Sequence, residues 1–153
     1  MANNNYLVIR LQRLSHRLYK KHVPLLPRLV FLLNRLFCGC CIPPEVELGE
    51  GVHLAHNGLG VIIHRRCVIG KGTVIQGNVV LGGNFGQGGP RIGDNCYIGA
   101  GAAVIGEITV GNDVIIGANA VVNKDVPEGV VVAGVPARVI KQVDASLIGR
   151  PKT

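Results

Sequence analysis

Residues 91–122 read RIGDNCYIGAGAAVIGEITVGNDVIIGANAVV and carry an aliphatic residue at every sixth position. These positions are Ile92, Ile98, Val104, Val110, Ile116 and Val122. An α-helix would rotate such residues away from any single face, because six residues advance it by about 600°. A β-solenoid can use the period, since each hexapeptide supplies one short strand and one turn. The repeat therefore predicts a three-sided parallel β-helix, in which three hexapeptides form one coil.

The repeat is interrupted twice before this stretch. Nine residues separate Leu54 from Ile63, which places an insertion near residues 56–60. Ile92 comes eleven positions after Leu81 instead of six, which leaves a glycine-rich loop within residues 82–91. Insertions in solenoids form surface loops that often carry function. We therefore expect the chemistry of the protein at these two interruptions.

Length and composition indicate one small domain. The chain has 153 residues, 22 of them glycine, with 4% aromatic residues and a net charge of +7. We divide it into an N-terminal helical cap (1–37), a β-helix domain (42–132) and a C-terminal tail (133–153). The basic residues are not interleaved with aromatic ones, which argues against nucleic acid as a partner. A basic surface equally suits a small anion such as coenzyme A.

The N-terminal segment 5–37 reads as two helices broken at Pro24 and Pro27. The first helix carries a stripe of leucines, namely Leu7, Leu11, Leu14 and Leu18. We favour a cap over the open end of the solenoid, or a subunit contact. The alternative is weak contact of a basic helix with a membrane surface. No apolar run approaches the roughly 20 residues that span a bilayer, and arginines break any signal peptide, so we expect a cytoplasmic protein.

Five cysteines fit a reducing compartment better than a disulfide framework. Cys67 and Cys96 stand two residues before core aliphatic positions and are expected to be free, packed thiols. Cys38, Cys40 and Cys41 form a C-x-C-C cluster. Because no second cysteine pair follows, the cluster lacks the spacing typical of a zinc site, and we expect no metal there.

Three histidines, His53, His56 and His64, are close together in the sequence. Their separations do not match ligands stacked in coils of about eighteen residues, so a metal-dependent hydratase is disfavoured. His56 differs because it lies on the first insertion, directly before Asn57 and Gly58. A neutral imidazole can take a proton from a hydroxyl near neutral pH, which makes His56 a candidate general base.

Four segments together resemble the serine acetyltransferase branch of the hexapeptide-repeat acyltransferases. They are GVHLAHNGLGVII (51–63), LGGN (81–84), IGDNCYIGAGA (92–102) and AGVPARVI (133–140). The resemblance implies a left-handed parallel β-helix that assembles as a homotrimer, with active sites between subunits. It also implies transfer of acetyl from acetyl-CoA to a hydroxyl, without a metal.

The resemblance assigns roles to particular residues. His56 would be the general base that acts on the hydroxyl of a small acceptor, either serine or a sugar unit. Small residues would let the pantetheine arm approach the backbone, and polar or cationic ones would meet the adenine and the phosphates. The acetyl-CoA residues are Ala100, Ala118, Asn123, Lys124, Arg138 and Lys141.

The chain departs from the family pattern at the acidic residues. Cys41 and Ala55 stand where the family has the two acids near its catalytic histidine, and residues 88–91 lack the family's Asp-Arg-His element. A thiol cannot stabilise an imidazolium as a carboxylate does. Three explanations remain open: Glu45 or Glu47 of this or a neighbouring subunit replaces the acid, the acceptor is not serine, or activity is weak. A binding or scaffold protein that keeps the solenoid without useful catalysis is the alternative function.

Overall fold

The computed structural model describes residues 6–84 and 88–144. Helices α1 (Leu7–Lys20) and α2 (Leu26–Cys38) precede a long series of short strands. The strands are β1 (Glu47–Leu48), β2 (His53–Leu54), β3 (Ile62–Ile63), β4 (Val68–Ile69), β5 (Val74–Ile75), β6 (Val80–Gly82), β7 (Arg91–Ile92), β8 (Tyr97–Ile98), β9 (Ala103–Ile105), β10 (Thr109–Val110), β11 (Ile115–Ile116), β12 (Val121–Val122), β13 (Val130–Ala133) and β14 (Arg138–Gln142).

The strands form the three sides of a prism. Sheet I has the order β1-β4-β7-β10, sheet II β14-β13-β11-β8-β5-β2, and sheet III β12-β9-β6-β3. Neighbouring strands are parallel except β13 and β14, which are antiparallel. Each coil visits the three sheets in turn, and this confirms the predicted three-sided parallel β-helix.

Two edges of the prism matter for the site. We call the turns that lead from sheet II to sheet III corner A; they comprise residues 55–61, 76–79, 99–102 and 117–120. The turns that lead from sheet III to sheet I form corner B, whose described residues are 64–67, 83–84, 88–90, 106–108 and 123–125.

The aliphatic positions of the repeat fill the core. All six of the residues that define the period are buried. In the uninterrupted coils, partners in the ladder are eighteen residues apart, as in the pairs Ile98↔Ile116 and Val104↔Val122. Pairs that span an insertion are farther apart in the sequence, as in Ile75↔Ile98. The strands alternate a buried aliphatic residue with a more exposed one, so the hexapeptide period is the stacking period of the coils.

Close packing between coils explains the glycines that follow core residues. A Cβ placed on Gly93 would lie 2.7 Å from the carbonyl carbon and oxygen of Gly111 in the next coil. The left-handed turn positions are instead taken by polar residues such as Asn95, Asp113 and Asn119, with φ between 55° and 56°. Asparagine and aspartate tolerate this conformation better than other residues with a Cβ.

We expect Gly93→Ala to lower the free energy of unfolding by about 1–3 kcal/mol, because the added methyl group must push two backbones apart. Gly77→Ala is the matched control, since a Cβ there meets only the Leu59 carbonyl oxygen at an ordinary 3.4 Å. Urea unfolding followed by circular dichroism measures both. Equal stability of the two variants would contradict the proposed role of coil spacing.

Helix α1 lies across the end of the first coil. Gln12 Nε2 donates to the Val46 carbonyl oxygen at 3.0 Å, and a guanidinium nitrogen of Arg13 donates to the Gly49 carbonyl oxygen at 3.5 Å. A ring nitrogen of His16 lies 2.7 Å from the Pro44 carbonyl oxygen. These contacts pair carbonyl oxygens of the first coil, which has no earlier coil beside it within the described residues to donate hydrogen bonds to them.

The helices differ from the sequence expectation in two respects. Pro27 does not break a helix but lies in the first turn of α2, where a missing N–H costs nothing. Leucines do not form the buried side of α1: Leu7 and Leu14 are exposed, whereas Val8 and Gln12 are buried, and the other two leucines of the stripe are half-buried. The coil end presents carbonyl oxygens, and a polar helix face pairs them better than leucine. Neither α1 nor α2 has the length and apolar character needed to span a membrane.

Candidate active site

His56 is exposed on corner A, in a short 3₁₀ segment (Ala55–Gly58) that follows β2. His56 and Asn57 both adopt left-handed backbone angles, with φ of 52° and 57°. Two consecutive residues of this kind are rare outside glycine and persist only where the surroundings hold them. The first interruption of the repeat therefore displaces an imidazole from the regular wall of the prism.

The helices hold this turn in place. Asn57 Oδ1 accepts a hydrogen bond from the Val8 backbone N–H at 3.1 Å, in the first turn of α1. Asn57 Nδ2 donates to Cys38 Sγ, at the end of α2, at 3.3 Å. A Cβ on Gly58 would lie 3.1 Å from Val8 Cγ2, so this residue also packs closely against α1. One asparagine thus ties the His56 turn to both helices.

The ring of His56 has no hydrogen-bond partner within residues 6–84 and 88–144. Cys41 pairs with the segment that follows the His56 turn: its N–H donates to the Val61 carbonyl oxygen at 2.8 Å, and its side chain is half-buried. The two replacement acids have other partners in the same chain. Glu45 pairs with Arg65 at 2.6 Å and Glu47 with Lys20 at 3.8 Å.

Ala100 and Ala118 lie on corner A with His56, in later coils. They occupy equivalent positions eighteen residues apart, and the N–H of Asn119 donates to the Ala100 carbonyl oxygen at 2.9 Å. Both alanines are exposed. Their small side chains form a narrow strip along corner A, on later coils than His56.

A cleft of about 270 Å³ lies at the C-terminal end of the prism. Its walls include Asn123, Lys124 and Arg138, three of the residues expected to contact acetyl-CoA. Arg138 donates one hydrogen bond to the Ala137 carbonyl oxygen at 2.9 Å, and both cations are exposed. Lys141, also expected to contact acetyl-CoA, is exposed on β14 but is not part of the cleft wall.

The glycine-rich loop lies on corner B and contacts a histidine that the sequence did not single out for this role. Residues 85–87 of the loop are outside the described residues. A Cβ on Gly83 or on Gly89 would lie 3.0 Å from an atom of the His64 ring. The Arg66 N–H donates to His64 Nδ1 at 3.4 Å, so the ring is held against the loop. The one feature of the sequence that could have predicted this contact is that His64 lies one coil before the second insertion.

Buried cysteines are packing residues in this fold. Burial raises the pKa of Cys67 to about 12 and that of Cys96 to about 11. Burial likewise raises the pKa of Cys40 to about 12 and raises the pKa of Cys38. Among the described residues, His, Cys, Asp and Glu side chains do not form a group of three or more that could hold a metal ion.

We expect one fast-reacting thiol in the native protein, because Cys41 is half-buried while the other four cysteines are buried with raised pKa values and carry little thiolate. Titration with an aromatic disulfide reagent at pH 8 measures the fast phase, and denaturation should release the remaining thiols. Cys41→Ser should remove the fast phase. Two or more fast thiols in the folded wild type would contradict the described packing.

Sequence comparisons with known proteins identify relatives of this chain. The family model described as "Bacterial transferase hexapeptide (six repeats)" matches residues 89–124. Serine acetyltransferase of Synechococcus elongatus is 42% identical over 131 residues, which cover 84% of this chain and 53% of the relative. Serine acetyltransferase of Staphylococcus xylosus is 41% identical over 140 residues, or 90% of this chain and 64% of the relative.

Solved structures give the same result. Brucella abortus serine acetyltransferase in complex with coenzyme A superposes with a TM-score of 0.85 at 34% identity, over 89% of this chain and 55% of that chain. Neisseria gonorrhoeae serine acetyltransferase in complex with serine gives 0.82 at 35% identity, over 87% and 55%.

The repeat, the three sheets and these matches define a hexapeptide-repeat β-helix protein. Within that class, the chain belongs to the serine acetyltransferase-like branch of the hexapeptide-repeat acyltransferases. It spans between about half and two thirds of the length of the relatives named above.

Proposed function

We propose that the protein is an acetyl-CoA-dependent O-acetyltransferase and that serine is the acceptor. The observation that carries this proposal is the position of His56, held in a left-handed turn on the same corner as the stacked Ala100 and Ala118. The relatives named serine acetyltransferase, and the solved complexes with coenzyme A and with serine, support this donor and this acceptor.

The proposed reaction is a direct transfer. The imidazole of His56 takes the proton of the acceptor hydroxyl while the oxygen attacks the thioester carbonyl. The new C–O bond forms as the C–S bond breaks, and the proton passes from the imidazolium to the departing thiolate to give coenzyme A. No acyl-enzyme is needed, because His56 activates the acceptor instead of attacking the thioester.

The cationic cleft suits the other end of acetyl-CoA. Lys124, on corner B, and Arg138, on β14, both line the cleft at the C-terminal end of the prism. Charge-assisted hydrogen bonds from lysine and arginine are well suited to phosphate oxygens. The extended pantetheine arm would then lie along Ala100 and Ala118 and bring the thioester toward His56.

The site needs a second copy of the chain in this proposal. His56 lies on corner A, whereas the glycine-rich loop with His64 lies on corner B of the same prism. Sheet III separates the two corners within one chain. In a homotrimer of parallel prisms, corner A of one subunit can face corner B of the next, which gives three equivalent sites.

We expect His56→Ala to lower kcat with acetyl-CoA and serine by about 10²–10⁴-fold, because general-base catalysis contributes that much. Release of free coenzyme A thiol measures the rate, with serine, threonine and a hexose compared as acceptors. His22→Ala is the control, since His22 is an exposed histidine in the turn between α1 and α2. Acetyl-CoA binding by calorimetry should be unchanged in the His56 variant.

Two results would contradict this proposal. Full activity of His56→Ala excludes the mechanism, and a wild-type protein that binds acetyl-CoA but acetylates no acceptor favours the scaffold alternative.

Cys41→Asp separates the explanations for the missing acid. The rate rises if the carboxylate is simply absent, and it changes little if a glutamate of a neighbouring subunit has taken over.

We expect Lys124→Ala and Arg138→Ala each to raise KM for acetyl-CoA by about tenfold or more while kcat changes little. A phosphate contact remote from the thioester binds the ground and transition states alike and is worth about 1.5–3 kcal/mol. Lys71→Ala is the control, because this exposed lysine lies on the third edge of the prism. An unchanged KM in both variants would place the phosphates elsewhere.

A further inference from the structure

The positive charge of the chain is concentrated in the helical hairpin, which we define as α1, α2 and the turn between them. The sequence has 16 basic and 9 acidic residues. Seven basic and no acidic residues lie within residues 6–38, so the remaining nine basic residues are balanced by all nine acidic ones. The seven are Arg10, Arg13, Arg17, Lys20, Lys21, Arg28 and Arg35. Residues 39–153, the β-helix and the C-terminal tail together, therefore sum to zero charge, and the hairpin alone accounts for the net charge of +7.

The same hairpin exposes an apolar face on α2. The side of α2 that is buried consists of Pro27, Val30, Asn34 and Cys38. The opposite side is apolar and exposed, at Leu25 (80%), Leu29 (53%), Leu32 (55%), Leu36 (76%) and Phe37 (67%). A helix on the surface of a globular protein normally points its polar residues outward. An apolar stripe several turns long that faces solvent marks a binding surface.

The hairpin contacts place this face at the outside of the molecule. α1 bonds the first coil on one side, through Gln12 and Arg13. On its other side, Ser15 Oγ donates to the Pro27 carbonyl oxygen at 2.7 Å, and Asn34 Nδ2 donates to the Val8 carbonyl oxygen at 3.1 Å. α1 thus has polar contacts with both the coil end and α2, and its displaced leucines Leu7 and Leu14 are exposed as well.

A groove adjoins the apolar face. It has a volume of about 640 Å³, and its lining includes Leu25, Phe31 and Leu32 together with the cation Arg28. Arg65 in the same groove is already paired with Glu45. Apolar walls next to an exposed guanidinium suit a molecule that has a hydrocarbon part and an anionic head.

We propose that the hairpin docks the protein onto the surface of a bilayer that contains anionic phospholipid, with the outer face of α2 in the interface and its arginines at the headgroups. Charge decides between this occupant and a second copy of the same face. Two copies of this face would bring Arg28 and Arg35 of each hairpin together with no acidic residue on either α2, and like charges oppose such pairing. An anionic headgroup layer supplies the missing negative charge.

Flotation with vesicles tests the proposal on the full chain at 0.1 M salt. Vesicles of phosphatidylcholine with about one third phosphatidylglycerol should carry the wild type, and pure phosphatidylcholine vesicles should carry at least tenfold less. Raising the salt to 0.5 M should release the protein, since screening weakens exposed charges. Equal binding to both vesicle types, or no binding to either, would overturn the proposal.

Variants locate the surface. Leu29→Gln/Leu36→Gln should reduce partition into anionic vesicles at least tenfold, and Arg28→Gln/Arg35→Gln about fivefold for each charge removed. The matched controls are Ile140→Gln, an equally exposed apolar residue on β14, and Arg91→Gln, an exposed arginine on β7. All six substituted residues are exposed, and circular dichroism checks that folding is intact.

Two further outcomes would also overturn the docking surface. One is wild-type vesicle binding by Leu29→Gln/Leu36→Gln, and the other is loss of the native oligomer in that variant, which would make the face a contact between copies. Serine acetylation in solution is measured in parallel and should be unaffected by these variants. Failure of vesicle docking is therefore distinct from failure of the proposed enzymatic function.

Discussion

Stacking of one coil on the next is the interaction on which the remaining structure depends. Backbone groups pair along three sheets, at a spacing of eighteen residues wherever no insertion intervenes, as Ile98 pairs with Ile116. Glycine follows many core positions because the neighbouring coil lies close, as Gly111 lies against Gly93. This rigid repeat fixes which residues share a corner, so an insertion can move a side chain outward without disturbing the coils around it.

The helical hairpin contacts both the end of the first coil and the turn that carries His56. A coil end exposes unpaired carbonyl groups, and α1 pairs them through Gln12 and Arg13. The same helix also holds the His56 turn in place, because the Val8 N–H donates a hydrogen bond to Asn57 Oδ1. One element therefore closes the solenoid and holds a left-handed backbone that would otherwise relax. The outward face of the hairpin is left for a partner, which we infer to be an anionic bilayer.

The hexapeptide period was sufficient to predict the three-sided prism, both insertions and the buried aliphatic column, because a strict repeat leaves one way to stack the coils. The helices were harder to orient. Leucines at helical spacing indicate an apolar face but not which way it points, and the end of a coil turned out to favour Gln12 over Leu14. The sequence did not link His64 to the glycine-rich loop, because the two lie on the same corner in successive coils and their contact depends on how these coils stack.

The candidate residues lie on two different corners of the prism, and for this reason we infer a site shared between subunits. His56 and the strip of Ala100 and Ala118 lie on corner A, whereas the glycine-rich loop lies on corner B across sheet III. Sedimentation velocity, with an acetyl-CoA and serine assay of each fraction, measures whether the site is shared between subunits. All activity should travel with a species of about three times 16.2 kDa. A monomer with full activity would contradict a site shared between subunits.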